Sequence, residues 1–330
     1  MPRPEYVQAI LSWQEMHGVS GLSAEHIGYE NGVLGGVISA LQALIKPRGK
    51  VLLHSPYYVG FIGTLKNAGY RIVTSELIKD SVGNWRMDYQ DMEEKLRDEG
   101  IDAVLFCSPH NPCGRVWEKW EIEQAMQLFE QYNVPVISDE IWSDLILPGH
   151  RHIPTQSVSP YAREHTVALY SPTKTFNLAG LIGSYHIIFN DEMRKKIEKR
   201  AEVSHYNNMN VLSMYALMGA YSAEGREWLD ELLSVLAKNV DFACDFLEHQ
   251  LPELSFAKPE GTYMLFVDCA AYMERTEKTL DEILDQCWRY GVALQDGREF
   301  GSTHHLRINL ASPYEMITKA FRRMREYVFY

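Results

Sequence analysis

The 330-residue sequence lacks the features that mark several large classes of protein. Its five cysteines are scattered and form no C-x-x-C pair, so they indicate neither a disulfide framework nor metal-ligand spacing. No apolar run approaches the roughly 18 residues that a membrane span needs. The first residues, MPRPEYVQAI, do not follow the order of a signal peptide. These absences predict a soluble, cytoplasmic protein.

The sequence is also poor in positive charge, with 32 Lys and Arg against 44 Asp and Glu and a net charge of −12. Nucleic acids and anionic membranes bind to basic surfaces, so neither is an expected partner. The G-x-G-x-x-G, P-loop and H-E-x-x-H motifs are all missing. The sequence therefore predicts no metal site, and a small molecule is the expected partner.

Strand-like apolar runs do occur, and through the first two thirds of the chain they alternate with helix-length amphipathic segments. The runs lie at 51–54, 71–75, 103–107, 134–138, 166–170 and 184–189. Strand and helix in alternation predict an α/β fold, with a mostly parallel sheet covered by helices on both faces. At about 150 residues per domain, the length predicts roughly two units.

The pattern changes after residue 190. Helical periodicity predicts long helices over 191–222 and 225–250, and a smaller α+β unit follows. Its predicted elements are a strand at 262–267, a helix at 280–290, a strand at 306–309 and a terminal helix from Pro313. We expect a large domain over 1–190, a connecting long helix over 191–222 and a small domain over 223–330.

The strongest chemical signal is S-P-T-K-T-F-N-L-A-G-L at 171–181, directly after the strand at 166–170. Open α/β sheets bind ligands at the C-terminal ends of their strands, where Lys174 falls. A lone lysine there is most simply a surface residue. However, two other predicted strands also end in polar side chains, Asn111 and Asp139. Three polar strand ends on one sheet edge predict a site.

A glycine-rich segment, E-N-G-V-L-G-G-V at 30–37, precedes an apolar helical pattern. Free backbone N–H groups at a helix N-terminus bind anions, and glycine allows a phosphate to come close. Such helix starts are frequent, so the segment alone allows a phosphate site but does not establish one.

Together these motifs resemble the fold-type I pyridoxal phosphate (PLP) enzymes, in particular the cystathionine β-lyase (C–S lyase) branch of the class I/II aminotransferase family. The carriers are C-S-P-H-N-P-C-G-R-V-W at 107–117, S-D-E-I-W-S-D at 138–144 and the segment 171–181. They occur in the family's order, with 28 residues from Asn111 to Asp139 and 35 from Asp139 to Lys174. The resemblance covers nearly the whole chain and implies the aspartate aminotransferase-like fold.

The resemblance implies a role for each residue at the cofactor ring. Lys174 would hold pyridoxal 5′-phosphate covalently and later carry the proton of the substrate Cα. Asp139 would keep the ring nitrogen protonated, which makes the ring an electron sink. Asn111 would bond the phenolic oxygen. Tyr58 would stack on the ring, with Tyr57 as the alternative.

The resemblance also implies the remaining contacts. The phosphate would lie on the backbone N–H groups of Gly32, Val33 and Leu34. The hydroxyls of Ser171 and Thr173 would also bind it. Arg307, in H-L-R-I-N-L, would bind the carboxylate of an amino-acid substrate through two parallel bonds. The cofactor would lie near the two-fold interface of a homodimer.

Three departures from the family pattern bear on function. Ile182 replaces an arginine that many aminotransferases use to bind the phosphate, and the lyase branch tends to lack that arginine too. Trp142 replaces a tyrosine; an indole donates a hydrogen bond but does not ionise. Family members begin some tens of residues earlier, so this chain is expected to be either a fragment or a protein with a more open site.

The sequence leaves several functions open. The leading hypothesis is β-elimination on cystathionine or cysteine-like amino acids, giving pyruvate, ammonia and a thiol. An aminotransferase and a weakly active or regulatory PLP-binding remnant are the nearest alternatives. The S-x-x-K of Ser171 to Lys174 also occurs in penicillin-recognising enzymes, but its companion motifs S-D-N and K-T-G are missing.

Overall fold

The structure is a computed structural model that describes residues 3–205 and 207–330. Its helices are α1 (Pro4–Met16), α2 (Val33–Leu44), α3 (Val59–Asn67), α4 (Tyr89–Glu99), α5 (Lys119–Gln131), α6 (Pro160–His165), α7 (Asp191–Ser204), α8 (Val211–Ala220), α9 (Ala223–Gln250), α10 (Ala270–Thr276), α11 (Leu280–Arg289) and α12 (Tyr314–Tyr327). Its strands are β1 (Ile27–Asn31), β2 (Lys50–Ser55), β3 (Arg71–Lys79), β4 (Trp85–Met87), β5 (Ala103–Cys107), β6 (Val136–Asp139), β7 (Thr166–Tyr170), β8 (Gly183–Ile187), β9 (Ser255–Phe256), β10 (Met264–Asp268), β11 (Gln295–Asp296) and β12 (His305–Asn309).

The larger sheet has the strand order β1-β8-β7-β6-β5-β2-β3-β4. Its five central strands, from β7 to β3 in that order, are parallel, whereas β1, β8 and β4 pair antiparallel at the two edges. The register sets Cys107 opposite Asp139, and Asp139 opposite Leu169. The C-terminal ends of β5, β6 and β7 therefore meet at one edge, as the sequence predicted.

Helices cover both faces of this sheet because the buried strands present apolar side chains to each side. Along β5, Val104 and Phe106 belong to the core beneath α4 and α5. The alternate residues Ala103 and Leu105 belong to the core beneath α2, α3 and α7. This period of two is the alternation of a pleated strand, and it confirms the predicted two-faced α/β architecture.

The smaller sheet is antiparallel, with the order β11-β12-β10-β9. Its buried side chains join those of α9, α11 and α12 in one core, which also receives Tyr6, Ile10 and Trp13 from α1. The predicted C-terminal α+β unit is therefore present. Among residues 3–205 and 207–330, no helix has the length and apolar character that a membrane crossing requires.

The predicted single helix over 191–222 is wrong. The chain forms α7 and α8 there; α7 ends at Ser204 and α8 begins at Val211. His205 ends α7 in the left-handed conformation, and the Asn210 side chain accepts a hydrogen bond from the Leu212 N–H to start α8. Asparagine favours such helix ends over helix interiors. The division into domains at 190 and 222 stays a prediction.

Candidate active site

A cavity of about 310 Å³ opens at the C-terminal ends of β5, β6 and β7. The residues of its lining that the sequence had indicated are Gly32, Val33, Leu34, Tyr58, Asn111, Asp139, Thr173 and Lys174. They come from positions far apart in the chain, and the sheet register and the start of α2 bring them together. Ser171 and Arg307, the other two indicated residues, lie next to this lining but not on it.

Lys174 lies on the turn after β7 and is half-buried. Burial lowers the pKa of its ammonium, although the nearby Asp139 carboxylate acts in the opposite direction. Its Nζ lies 5.8 Å from the centre of the Trp142 ring. A larger fraction of neutral amine is therefore present at neutral pH than on an exposed lysine, and a neutral amine is what acts as a nucleophile or a base.

Asp139 ends β6 and is 4% exposed. Its Oδ1 accepts a hydrogen bond from the Ile141 N–H at 3.1 Å. Burial raises the pKa of this carboxyl to about 7, because its charged form is costly away from water. A cationic ring nitrogen placed beside it would favour the ionised form.

Gly32 precedes α2 in a backbone conformation that favours glycine, with φ of 80°. A Cβ at this position would lie 3.1 Å from Cγ2 of Ile182. The first N–H groups of α2, from Val33, Leu34 and Gly35, have no partner within the helix. These N–H groups belong to residues of the cavity lining, so the segment is a fitting place for a phosphate.

The hydroxyls of Ser171 and Thr173 differ in position. Ser171 Oγ donates a hydrogen bond to the Gly183 carbonyl at 2.7 Å and lies 2.8 Å from Thr173 Oγ1. Thr173 lines the cavity, whereas Ser171 lies behind it. Ser171 is therefore placed to orient the Thr173 hydroxyl, and its direct contact with a phosphate stays a prediction.

Arg307 on β12 reaches the cavity through Asn111. Its Nη1 donates a hydrogen bond to Asn111 Oδ1 at 2.8 Å. Burial lowers the pKa of Arg307 to about 10, so the guanidinium remains charged at neutral pH. The small sheet thus brings a cation to the edge of a site built by the large sheet.

The choice between two neighbouring tyrosines follows from their positions. Tyr58 lines the cavity and meets Phe61 edge-on, with 5.4 Å between ring centres. The ring of Tyr57 lies instead against Gly301, where an added Cβ would come within 2.9 Å of it. The geometry therefore agrees with Tyr58 as the residue beside a bound ring.

The cavity also has lining residues that the sequence analysis did not assign to a binding role. They are Asn31, Gly35, Phe61, Cys107, Ile141, Trp142, Ala179 and Ile182. Ile141 and Trp142 directly follow Asp139-Glu140 in the motif at 138–144, so the motif itself was the available signal for them. Within the described residues, no group of three or more His, Cys, Asp or Glu side chains is arranged to hold a metal ion.

The sequence profile of the family "Aminotransferase class I and II" matches residues 3–324. The chain belongs to the aminotransferase class I and II family. It is 31% identical over 327 residues to the cystathionine beta-lyase PatB of Bacillus subtilis. This alignment covers 98% of this chain and 83% of that protein. It is 28% identical over 321 residues to the protein MalY of Escherichia coli, with coverage of 96% and 80%.

Two solved structures have the same fold as this chain. The PLP-bound C–S lyase from Staphylococcus hominis matches with a TM-score of 0.92 and 29% identity, over 100% of this chain and 83% of that chain. Cystalysin from Treponema denticola, solved with pyridoxal 5′-phosphate, matches with a TM-score of 0.92 and 29% identity, over 99% and 82%. The family and fold predicted from the motifs are confirmed.

Proposed function

We propose that this protein is a PLP-dependent C–S lyase that eliminates the β-sulfur of cystathionine or cysteine-like amino acids, giving pyruvate, ammonia and a thiol. The observation that carries the proposal is the pair Lys174 and Asp139 on one cavity of about 310 Å³. Relatives named cystathionine beta-lyase and C–S lyase, which match nearly the whole chain, support β-elimination over amino-group transfer.

The residues of the cavity fit this cofactor. The buried Asp139 carboxyl would pair with a protonated ring nitrogen, and the free N–H groups of α2 would hold the phosphate, with help from the Thr173 hydroxyl. Tyr58 supplies an aromatic face, and Asn111 an amide for the phenolic oxygen. When bound, pyridoxal phosphate supplies an electron sink for the charge that develops at the substrate Cα.

The protein's own groups then account for the proton and the orientation of the substrate. Arg307 would bind the α-carboxylate and so fix the direction of the Cα–H bond. Lys174 would hold the cofactor covalently until the substrate amine displaces it. The released amine, whose ammonium form has a lowered pKa, would then take the Cα proton and return a proton to the departing thiolate. Trp142 beside Lys174 would help to exclude water from this transfer.

Two measurements test the proposal. Borohydride reduction of the PLP-loaded protein, followed by peptide mapping, should place a pyridoxyl group on Lys174. L-Cystathionine without any keto acid should give pyruvate and thiol, and the Lys174→Ala variant should lose this activity. A pyridoxyl group on another lysine would refute the assignment. Activity that requires a keto-acid acceptor would favour an aminotransferase, and a cofactor spectrum without turnover would favour a remnant.

We also propose that the protein acts as a cytoplasmic homodimer. Ile182 of the cavity lining is 57% exposed, and Leu212 in the first turn of α8 is 67% exposed. The Asn210 side chain joins their two segments through a hydrogen bond to the Leu181 carbonyl. A second copy of the chain would remove these apolar side chains from water. The five cysteines are all free and buried, which suits a reducing compartment.

A further inference from the structure

Arg307 is a buried cation that makes no ion pair with any carboxylate of residues 3–205 and 207–330. It is 6% exposed, and the centre of the Phe300 ring lies 4.3 Å from its Cζ. A buried charge without a counter-charge is costly. Here neutral hydrogen-bond acceptors offset part of the free energy lost when the guanidinium is removed from water. Because they carry no charge, they leave the positive charge available to an anion.

The main acceptor is Gln295, on the edge strand β11 directly opposite Arg307 of β12. Its Oε1 accepts a hydrogen bond from Arg307 Nε at 2.8 Å, and a second one from Nη2. Residues directly opposite each other on antiparallel strands share one face of the sheet. The backbone pairing thus fixes Gln295 beside the guanidinium, although the residue itself is exposed to solvent.

The hydrogen bonds leave a defined part of the guanidinium open. Of the five N–H donors of an arginine, Gln295 takes two and Asn111 takes one, on Nη1. One N–H therefore remains on each of Nη1 and Nη2. A carboxylate binds an arginine through such a pair of N–H groups.

We propose that Gln295 is a positioning residue for recognition of the substrate carboxylate. It holds the Nε and Nη2 side of Arg307 and presents the other N–H groups to the substrate. Because the amide is neutral, it orients the guanidinium without cancelling its charge. A glutamate of the same shape would orient it too, but would supply the negative charge that the substrate otherwise brings. This inference rests on the proposed function, in which Arg307 binds the α-carboxylate.

The test measures binding by the change in the cofactor spectrum of the PLP-loaded protein. L-Alanine is one probe, because it has an α-carboxylate but no β-leaving group. Ethylamine is the other, because it is the same molecule without the carboxylate. The variants are Gln295→Glu and Gln295→Leu. Gln286→Glu is the matched control, because it adds the same charge on α11, where Gln286 contacts Lys278 and not Arg307.

Gln295→Glu should weaken L-alanine binding about tenfold or more, since the arginine loses its net charge for the ligand. Gln295→Leu should weaken it in the same direction, because the guanidinium loses its orientation. Ethylamine should bind equally to all variants, and Gln286→Glu should match the wild type. With L-cysteine as substrate, the KM of both Gln295 variants should rise while their kcat changes little.

Three results would overturn the inference. Unchanged L-alanine affinity in Gln295→Glu would show that residue 295 does not affect the carboxylate. Tighter binding in Gln295→Leu would show that the glutamine competes with the ligand. Equal loss of both probes would show general damage to the pocket. If the wild type binds neither probe and forms no pyruvate, the proposed function fails and this inference fails with it.

Discussion

Asp139 is a carboxyl group held almost wholly out of water, where its ionised form is costly. Its pKa in the folded protein is about 7, against an ordinary value of 3.8. Between these two values the folded chain binds more protons than the unfolded chain. The free energy of unfolding therefore falls as pH rises through this window. The nearby Lys174 ammonium offsets this burial only in part, so in the cofactor-free protein the ionised Asp139 side chain lowers the stability of the fold.

The first prediction follows for the Asp139→Asn variant. In the cofactor-free protein, the stability advantage of the variant over the wild type should grow by on the order of 2 kcal/mol from pH 5 to pH 8. PLP affinity and turnover should fall, because a neutral amide does not keep the ring nitrogen protonated. Urea unfolding at both pH values measures the first effect, and PLP titration the second.

The control for this prediction is Asp230→Asn, at an exposed position on α9. It should track the wild type at both pH values. Parallel pH profiles for Asp139→Asn and the wild type would show that Asp139 is ionised in the folded cofactor-free protein, and would contradict the account of its burial.

The motifs were sufficient to predict that Lys174, Asp139 and Asn111 lie on one cavity, because each lies at or just after the end of a buried strand and the register of a parallel sheet brings strand ends together. Gln295 could not be found in this way. It lies on a two-residue strand with no apolar pattern, and its importance comes from pairing with Arg307, twelve residues later. Local sequence does not record such pairing.

At the scale of elements, β1 and β8 form the edge of the sheet beside Gly32, in the segment proposed to bind the phosphate. Glu30 of β1 and His186 of β8 are both buried, with 2.7 Å between Oε1 and Nδ1. The ring of His186 lies against Gly28, where an added Cβ would come within 2.3 Å of the ring atoms. Strand β1 could not be predicted from the sequence, because a glycine and a glutamate break its apolar pattern and the partner of Glu30 lies 156 residues away.

The second prediction is that Gly28→Ala destabilises the fold, by about 1–3 kcal/mol, as overpacking of a filled site does. The shift of β1 should also weaken PLP binding, since β1 leads directly into Gly32. Gly63→Ala is the matched control, because nothing lies within 4 Å of a Cβ there. In the middle of α3, the control should be neutral or stabilise the fold. Urea unfolding of both variants checks this, and equal stabilities would contradict the described packing.

At the scale of the whole molecule, the order of elements and the two sheets could be predicted, because strand and helix patterns alternate clearly. The break between α7 and α8 could not be predicted in the same way. It depends on the helix caps at His205 and Asn210, and the sequence on either side of these caps has the pattern of one continuous helix. The small sheet was predicted only in part, since β9 and β11 are two residues long.

The third prediction concerns assembly. Leu212→Glu should shift the protein from dimer to monomer, because a charge replaces an apolar side chain at the proposed interface. Val82→Glu should leave the dimer intact; Val82 is 78% exposed, on the turn between β3 and β4 away from that surface. Light scattering after size-exclusion chromatography measures both masses. A wild-type monomer, or a Leu212→Glu dimer as stable as the wild type, would contradict the proposed interface.

The fate of the substrate nitrogen tests the central claim most directly. The PLP-loaded protein would be given L-cystathionine labelled with ¹⁵N at the amino group of its cysteine-derived half, together with a keto acid other than pyruvate. The label would then be measured in ammonia and in the amino acid formed from that keto acid. Elimination predicts that the label appears in ammonia, together with an equal amount of pyruvate. Label found mainly in the new amino acid would identify an aminotransferase and contradict the proposed C–S lyase.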